Sequence, residues 1–79
     1  MEYNKEKVDE MLLALMCLVM HSDGNAVRAW KGFDWDSLNR LHAKGLISDP
    51  KSKAKSVILS DKAVKLSELL FEKHFCTNS

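Results

Sequence analysis

The sequence has few of the residues that would mark it as disordered or as divided into several domains. One proline and three glycines occur among 79 residues, while 46% of the residues are hydrophobic and 29% are charged. This composition is typical of a folded, soluble protein. A chain of this length has room for one apolar core, so we predict a single domain over residues 1–79 with modest stability.

Cysteine is also scarce. Cys17 lies in an apolar run and Cys76 lies near the end of the chain. Two such cysteines are too few for a disulfide scaffold and lack the paired spacing of a zinc site. Reduced thiols fit the cytoplasm, so we predict a cytoplasmic protein without a metal or other cofactor.

No hydrophobic run is long enough to cross a membrane. The run from Met11 to Met20 is ten residues long, about half of the roughly 20 that a transmembrane helix needs. Asp9 and Glu10 stand directly before it and do not fit a signal peptide. We therefore predict neither a membrane partner nor export.

The net charge is small, at +1, but it is unevenly distributed. Residues 1–23 carry five acids and two bases, residues 24–60 carry three acids and seven bases, and residues 61–79 carry three of each. The middle of the chain is therefore its positive part. Such an asymmetry favours an anionic partner.

The first helix is predicted over about residues 5–21, with Asn4 as its N-cap and Gly24 at its end. A helical wheel gives it two apolar stripes. We expect the first stripe to face the core; it consists of Val8, Met11, Leu12, Leu15, Leu18 and Val19. The second stripe either lies between other elements or meets a second copy of the chain; it consists of Leu13, Met16, Cys17 and Met20.

The segment that follows is short and mixed in character. Residues 25–31 are compatible with a short helix or with an extended segment, and we favour the short helix. Gly32 then interrupts the chain, and Asp34 is the predicted N-cap of a helix over residues 35–44 that Gly45 ends. The wheel of this helix places Trp35, Leu38, Leu41 and His42 inward and Asp36, Ser37, Asn39, Arg40 and Lys44 outward.

The last third of the chain predicts a β-hairpin and a helix. Leu46 and Ile47 begin a strand, residues 48–50 turn, and residues 56–59 return with strand-forming residues. The lysines of the connecting loop alternate with small residues, so an extended loop would place them on one face; they are Lys51, Lys53 and Lys55. Ser60 caps a helix over residues 61–75, and residues 76–79 are expected to fray. The inward face of that helix is predicted as Ala63, Val64, Leu66, Leu70, Phe71 and Phe75.

The segment Leu38-x-x-Leu41-x-x-Lys44-Gly45-Leu46-Ile47 is followed by the lysine-bearing loop and by Val57-x-Leu59-Ser60. This pattern resembles the winged helix-turn-helix domain of bacterial regulators, in which a leucine-rich recognition helix precedes a wing hairpin and a capped helix. The expected fold is mainly α with a small β-hairpin, in the order helix, short helix, helix, strand, wing, strand, helix. The whole chain also resembles a family of small bacterial proteins of unknown function that share the segment Trp30 to Trp35.

The winged-helix resemblance implies that the outer face of the helix over residues 35–44 enters the major groove of double-stranded DNA. Asn39 and Arg40 suit adenine and guanine edges, and the loop lysines suit phosphate. The predicted DNA-contact residues are Arg28, Asn39, Arg40, Lys44, Lys51, Lys53 and Lys55. A purely structural explanation is that Asp36 and Arg40 form an i,i+4 pair on a solvated helix, and that lysines at a hairpin tip maintain solubility.

A second hypothesis is a protein interaction module that does not bind nucleic acid. Trp30, Phe33 and Trp35 form either a surface for stacking or protein contact, or part of the core. We expect Trp35 to be buried, Phe33 to pack at the helix entry and Trp30 to be exposed. The predicted protein interface, which includes a homodimer through the first helix, is Leu13, Met16, Cys17, Met20 and Trp30.

No pattern in the sequence specifies a reaction. His21-x-Asp23 and His74-x-Cys76 each offer two metal ligands but lack the spacing of a zinc site. Cys17 lies in the most apolar run, where a nucleophile would lack a nearby base and access to solvent. We predict that the protein is not an enzyme.

Overall fold

The computed structural model describes residues 1–77, which form three helices and a three-stranded antiparallel sheet. The helices are α1 (Lys5–Met16), α2 (Trp35–Ala43) and α3 (Asp61–Phe75). The strands are β1 (Met20–Asp23), β2 (Ala26–Trp30) and β3 (Ser56–Leu59), in that order across the sheet. One turn of 3-10 helix, Cys17–Val19, connects α1 to β1.

Each helix begins where a side chain can accept a hydrogen bond from a free amide of the first turn. Asn4, Asp34 and Ser60 each accept from the amide three residues ahead, at 3.0 to 3.1 Å. Such caps satisfy amides that have no partner within the helix. The three predicted N-caps are therefore confirmed, as are the bounds of α3 and, within one residue, those of α2.

The predicted short helix over residues 25–31 is wrong, because β1 and β2 form a hairpin there. Their register pairs Asp23 with Ala26, which leaves Gly24 and Asn25 as a two-residue turn. Gly24 has φ 63° while Asn25 has no positive φ, as in a type II′ turn with glycine first. Gly24 thus turns a hairpin instead of ending a helix, and α1 ends at Met16 rather than near residue 21.

The hairpin predicted between residues 46–47 and 56–59 is reduced to a single bridge. Ile47 pairs with Leu59 as an isolated bridge, and the Ser48 amide donates to the Ile58 carbonyl at 2.8 Å. Residues 48–55 form the loop between these segments. β3 pairs along its length with β2, so the sheet is larger than the small hairpin that the sequence predicted.

The core lies between one face of the sheet and the three helices. α1 and α3 are joined inside it by the Ser67 hydroxyl, which donates to the Leu13 carbonyl at 2.6 Å. Burial of these apolar side chains is the main stabilising contribution to a domain of this size. The buried core side chains are Leu12, Leu13, Met16, Ala29, Leu38, Leu41, Leu46, Ile47, Val57, Leu59 and Ala63.

The two stripes of α1 are largely reversed with respect to the prediction. Leu13 and Met16, expected at a partner interface, are only 1% and 0% exposed. Val8, Leu15 and Leu18, expected in the core, are 36%, 39% and 67% exposed. The helical period identifies both stripes, but it does not determine which one faces inward, and Leu13 and Met16 have no surface to offer a partner.

Other predicted orientations also differ from the structure. Trp35 is 54% exposed instead of buried, and its ring lies 6.0 Å from the Lys31 ammonium. His42 is exposed as well, although its Nδ1 lies 2.9 Å from the Ile47 carbonyl oxygen. Of the residues expected inward on α3, Ala63 is buried, whereas Phe75 at its end is exposed.

The end of the chain is described only in part. Residues 76 and 77 follow α3 without helical structure. The rest of the tail that was predicted to fray, residues 78–79, lies outside the described residues. Within residues 1–77, no helix combines the length and the apolar character needed to cross a membrane.

The positive φ that the hairpin turn gives to Gly24 can be tested. Replacing Gly24 with alanine should lower the free energy of unfolding by about 1 kcal/mol, because an L-residue is strained at positive φ. Gly32 provides the control: it has no positive φ, and a Cβ there meets no atom within 4 Å. Gly32→Ala should therefore be neutral or slightly stabilising. Urea unfolding of both variants measures the difference, and equal losses would contradict the turn assignment.

Candidate nucleic-acid interface

Part of the α2 side that was predicted to enter a DNA groove lies against α1. The Arg40 Nε donates at 2.9 Å to both carboxylate oxygens of Asp9, and its Nη2 lies 2.8 Å from Oδ1. Asp9 is 2% exposed. The Lys44 ammonium lies 3.1 Å from Glu6 and 3.3 Å from Asp9. Both predicted DNA contacts are therefore held by carboxylates of the acidic first helix.

The same polar network extends to the beginning of α2. The Arg40 Nη2 donates to the Ser37 hydroxyl at 3.0 Å, and that hydroxyl donates to Asp34, the N-cap, at 2.9 Å. Ser37, which was predicted to face outward, is consequently buried. Arg40 bonds to Asp9 on another helix and not to Asp36, one turn away on its own. The predicted i,i+4 pair is therefore replaced by a tertiary one.

The charges of this network shift the pKa values of its members. Burial by itself would raise the pKa of Asp9, but hydrogen bonds from Arg40 and Lys44, together with their positive charges, outweigh it and lower that pKa. The hydrogen bond to Glu6 is the main cause that raises the pKa of Lys44. Each group is thus held in its charged form.

The three lysines predicted to contact phosphate have a different environment from that of Arg40 and Lys44. Lys51, Lys53 and Lys55 are exposed on residues 48–55, which we call the lysine loop. The Lys31 ammonium anchors this loop by donating to the carbonyls of Pro50 and Ser52 at 2.8 and 2.7 Å. The loop lysines therefore stand on a segment that is tied to the end of β2.

One face of the sheet remains uncovered, and we call it the open sheet face. Along β2, Ala29 is fully buried in the core, so its neighbours Arg28 and Trp30 lie on the opposite face. Arg28 is opposite His21 on β1. The His21 and Trp30 rings are 4.9 Å apart with 31° between their planes, and Trp30 is 53% exposed. The predicted exposure of Trp30 is therefore confirmed.

Arg28 is fixed in place on this face. Its Nε donates to Asp23 at 3.1 Å, and its Nη1 donates to the Ser56 hydroxyl at 3.1 Å. Ser56 is also opposite Trp30 in the sheet register, and the Lys31 amide donates to the Lys55 carbonyl at 3.3 Å. The aromatic pair, Arg28 and the end of the lysine loop thus meet at neighbouring positions of the sheet.

The structure therefore divides the predicted DNA-contact residues into two groups. Arg28 lies on the open sheet face and the lysine loop meets the sheet at the end of β2, whereas Arg40 and Lys44 are engaged by α1. Asn39 is exposed on α2 beside the equally exposed Asp36. His21 was missed as a member of the site. The Gly24-Asn25 dipeptide is the signal that could have identified it, because a two-residue hairpin turn pairs residue 21 with residue 28.

A cleft of about 380 Å³ opens among the three helices, with Glu6, Asp9 and Glu10 on its wall. Its carboxylates already have partners, since Glu6 and Asp9 bind Lys44 and Glu10 lies 2.8 Å from His74. The hydrogen bond from His74 is the main cause that lowers the pKa of Glu10. Among residues 1–77, no three His, Cys, Asp or Glu side chains are grouped as metal ligands.

Cys17 does not have the environment of a nucleophile. It is half-buried at the start of the 3-10 turn. Burial is the main cause that raises the pKa of its thiol, so the reactive thiolate is disfavoured.

A separate apolar surface runs along α1, and we call it the α1 stripe: Val8, Met11, Leu15 and Leu18. These positions follow a 3-4-3 spacing, and three of them are more than one-third exposed. Phe33 adjoins the stripe across a shallow groove. The exposed face of the first helix is therefore apolar, although through residues other than those predicted.

Comparison with known proteins supports a bacterial origin for this type of chain. The family model described as "Domain of unknown function (DUF6429)" matches residues 4–77. The chain is 47% identical over 75 residues to the "Uncharacterized protein y4hR" of Sinorhizobium fredii (strain NBRC 101917 / NGR234), covering 95% of this chain and 97% of that protein. No solved structure matches the chain.

The buried ion pair should make stability depend on pH. Replacing Asp9 with asparagine should lower the free energy of unfolding by about 3 kcal/mol near neutral pH, since it removes one partner of a buried pair. The folded-state pKa of Asp9 lies below the ordinary value of 3.8 for this group. Its contribution is thus fully present above about pH 4 and is lost as the pH falls through the folded-state value.

Denaturant unfolding of the wild type and of Asp9→Asn over a pH series measures this difference. Glu6→Gln is the control, because Glu6 is a mainly exposed partner of Lys44 and should contribute less than about 1 kcal/mol. A difference between wild type and Asp9→Asn that remains constant down to about pH 2 would contradict the role assigned to the Asp9 carboxylate.

Proposed function

The chain belongs to the DUF6429 family, and from this premise we propose that it is a small, non-enzymatic nucleic-acid-binding protein with a winged-helix-like arrangement. In this proposal the lysine loop acts as the wing. Contacts to the phosphate backbone supply most of the affinity, and α2 does not insert into a groove. A regulatory role in the cytoplasm is part of the same proposal.

The main support for the proposal is the exposure and close spacing of the three loop lysines. Arg28, Arg40 and Lys44 each lie within 4.0 Å of a carboxylate, whereas the ion pairs within residues 1–77 include none of the three loop lysines. Three exposed lysines within five residues form a compact positive surface. Neutralising phosphates with such side chains releases counterions and favours binding.

The anchoring of the loop adds to this argument. Lys31 holds the carbonyls of Pro50 and Ser52, and the Asp49 carboxylate accepts from the Lys51 amide at 2.9 Å. Because these bonds order the loop before a ligand arrives, less conformational entropy is lost when phosphate binds. The loop also follows α2 and precedes β3 and α3, which is the position of a wing in a winged-helix domain.

The proposal differs from a groove-reading winged helix in the role that it gives to α2. Asp9 and Glu6 hold Arg40 and Lys44, and a base edge would have to displace a buried carboxylate from Arg40. Asn39 remains exposed beside Asp36, whose negative charge repels DNA. We therefore expect binding that depends on salt much more than on base sequence.

Substitution of the three loop lysines by alanine tests this function. Binding of a labelled DNA at low salt should weaken at least tenfold, and the slope of log affinity against log salt should decrease in magnitude by about 2 to 3, nearly one for each lost phosphate contact. Fluorescence anisotropy over a salt series measures both quantities. The control variant replaces three exposed lysines of α3 by alanine: Lys62, Lys65 and Lys73.

The control removes the same total charge from another surface. If both triple variants lose affinity equally, binding depends on net charge and the lysine loop is not the site. Absence of binding by the wild type at high micromolar protein and low salt would contradict the proposed function itself.

A second candidate function, protein interaction, is favoured by the α1 stripe. An exposed apolar surface of this kind is uncommon on a monomer, and its 3-4-3 spacing is that of a seam between paired helices. We propose a second copy of the chain as its occupant. This function requires no nucleic acid, and it uses Leu15 and Leu18 in place of the buried Leu13 and Met16.

The dimer is tested by Leu15→Glu, which places a charge in the middle of the α1 stripe. The wild type should sediment as a dimer at high micromolar concentration and the variant as a monomer. Leu69→Glu is the control, since Leu69 is a 64% exposed leucine on α3, and it should leave the dimer intact. A wild type that sediments as a monomer at every concentration would remove this candidate.

A further inference from the structure

We infer that the open sheet face is a stacking site for unpaired bases, so that the nucleic acid this protein binds is single-stranded; this inference rests on the proposed function. The face combines Trp30, His21 and Arg28 at the end of the lysine loop. These three side chains would form the base-binding part of the site, which the lysines alone do not specify.

The aromatic pair of Trp30 and His21 lies on the open sheet face. Trp30 lies on a sheet face that no helix covers, and half of its surface is exposed although its ring also packs against His21 at 4.9 Å. A tryptophan in this position keeps a large apolar surface that the fold leaves exposed. Aromatic rings on open sheets bind bases of any sequence by stacking.

The end of the lysine loop lies close to Trp30 in the sheet. Trp30 is opposite Ser56, the residue that follows Lys55, and strand neighbours lie about 5 Å apart. Lys31 and Lys55 are the next pair along these strands, and their side chains alternate to the opposite face, so the lysine loop lies at the end of the sheet beside the open sheet face. A strand that stacks a base on Trp30 and continues past the end of β2 would reach the loop lysines, whose charge is complementary to its phosphates.

Arg28 lies two residues before Trp30 on the same face of the sheet. Asp23 and Ser56 hold its guanidinium in a fixed orientation. A guanidinium plane on a sheet face can stack on a second base. The spacing along β2 thus provides two planar groups for successive bases.

These observations favour nucleic acid over a protein as the occupant. Besides Trp30, the large exposed apolar residue on this face is Ile58, at 37%, and the other residues are alanine, histidine, arginine, aspartate and serine. A protein hot spot is usually surrounded by further apolar contacts that exclude water. A duplex, whose bases are already stacked, would contact the lysine loop but would leave the ring unoccupied.

Anisotropy with a labelled 15-nucleotide oligothymidine and with a duplex of equal length tests the inference. The wild type should bind the single strand more tightly, and Trp30→Ala should weaken single-strand binding by about tenfold, the typical loss of one stacked base, without changing duplex binding. Trp35→Ala is the matched control, because Trp35 is equally exposed but lies on α2. Trp30→Phe should retain most of the affinity.

Tryptophan fluorescence gives a readout that a general loss of stability would not reproduce. The chain contains two tryptophans, so Trp35→Phe leaves Trp30 as the single emitter. Saturating oligothymidine should quench it strongly if a base stacks on the ring. Unchanged Trp30 emission at saturation would overturn the inference and leave the open sheet face to a protein partner.

The two proposals fail in different ways. If the wild type binds single strand and duplex equally, loses both when the loop lysines are replaced, and is unaffected by Trp30→Ala, the stacking inference is wrong and the proposed function stands. If the wild type binds neither probe at low salt, both are wrong.

Discussion

The pair formed by Asp9 and Arg40 is the constraint on which the rest of the structure depends. A carboxylate that is 2% exposed would be very unfavourable without a partner, and the forked guanidinium satisfies both of its oxygens. The pair joins α1 to α2 at one relative rotation. Ser37, Lys44 and Glu6 extend the same network over the length of α2.

That rotation decides what each surface of the molecule can do. With Asp9 inward, Leu13 and Met16 enter the core and the α1 stripe faces solvent. The same contact occupies Arg40 and Lys44, so α2 loses the cations that a groove-reading helix needs. Among the predicted DNA-contact residues, the cations outside the ion pairs of residues 1–77 are the exposed lysines of the lysine loop, which the structure holds against the end of β2 through Lys31.

The hairpin of β1 and β2 creates the other surface. Without it, His21 and Trp30 would lie on separate segments; with it, their rings are in contact on the face opposite the core. The sheet therefore brings an aromatic pair and a fixed arginine to the end of the lysine loop. The lysine loop and the exposed ring of Trp30 therefore lie next to each other at the end of β2.

Much of the fold could be predicted from local sequence signals. The caps at Asn4, Asp34 and Ser60, the end of α2 at Gly45 and the strand over residues 56–59 depend on interactions within a few residues of each other, and each is present. The exposure of Trp30 and of the loop lysines was predicted for the same reason. The Gly24-Asn25 turn was equally local, and its signal was overlooked.

Only the tertiary structure decided which stripe of α1 faces inward, which cations remain free and which rings meet. Helical periodicity is the same for both stripes, because rotating the helix exchanges them without changing the spacing of their residues. The rotation is selected by Asp9 and Arg40, which are 31 residues apart. The site likewise joins His21, Trp30 and Lys55 through strand pairing, which no local pattern of charge or hydrophobicity contains.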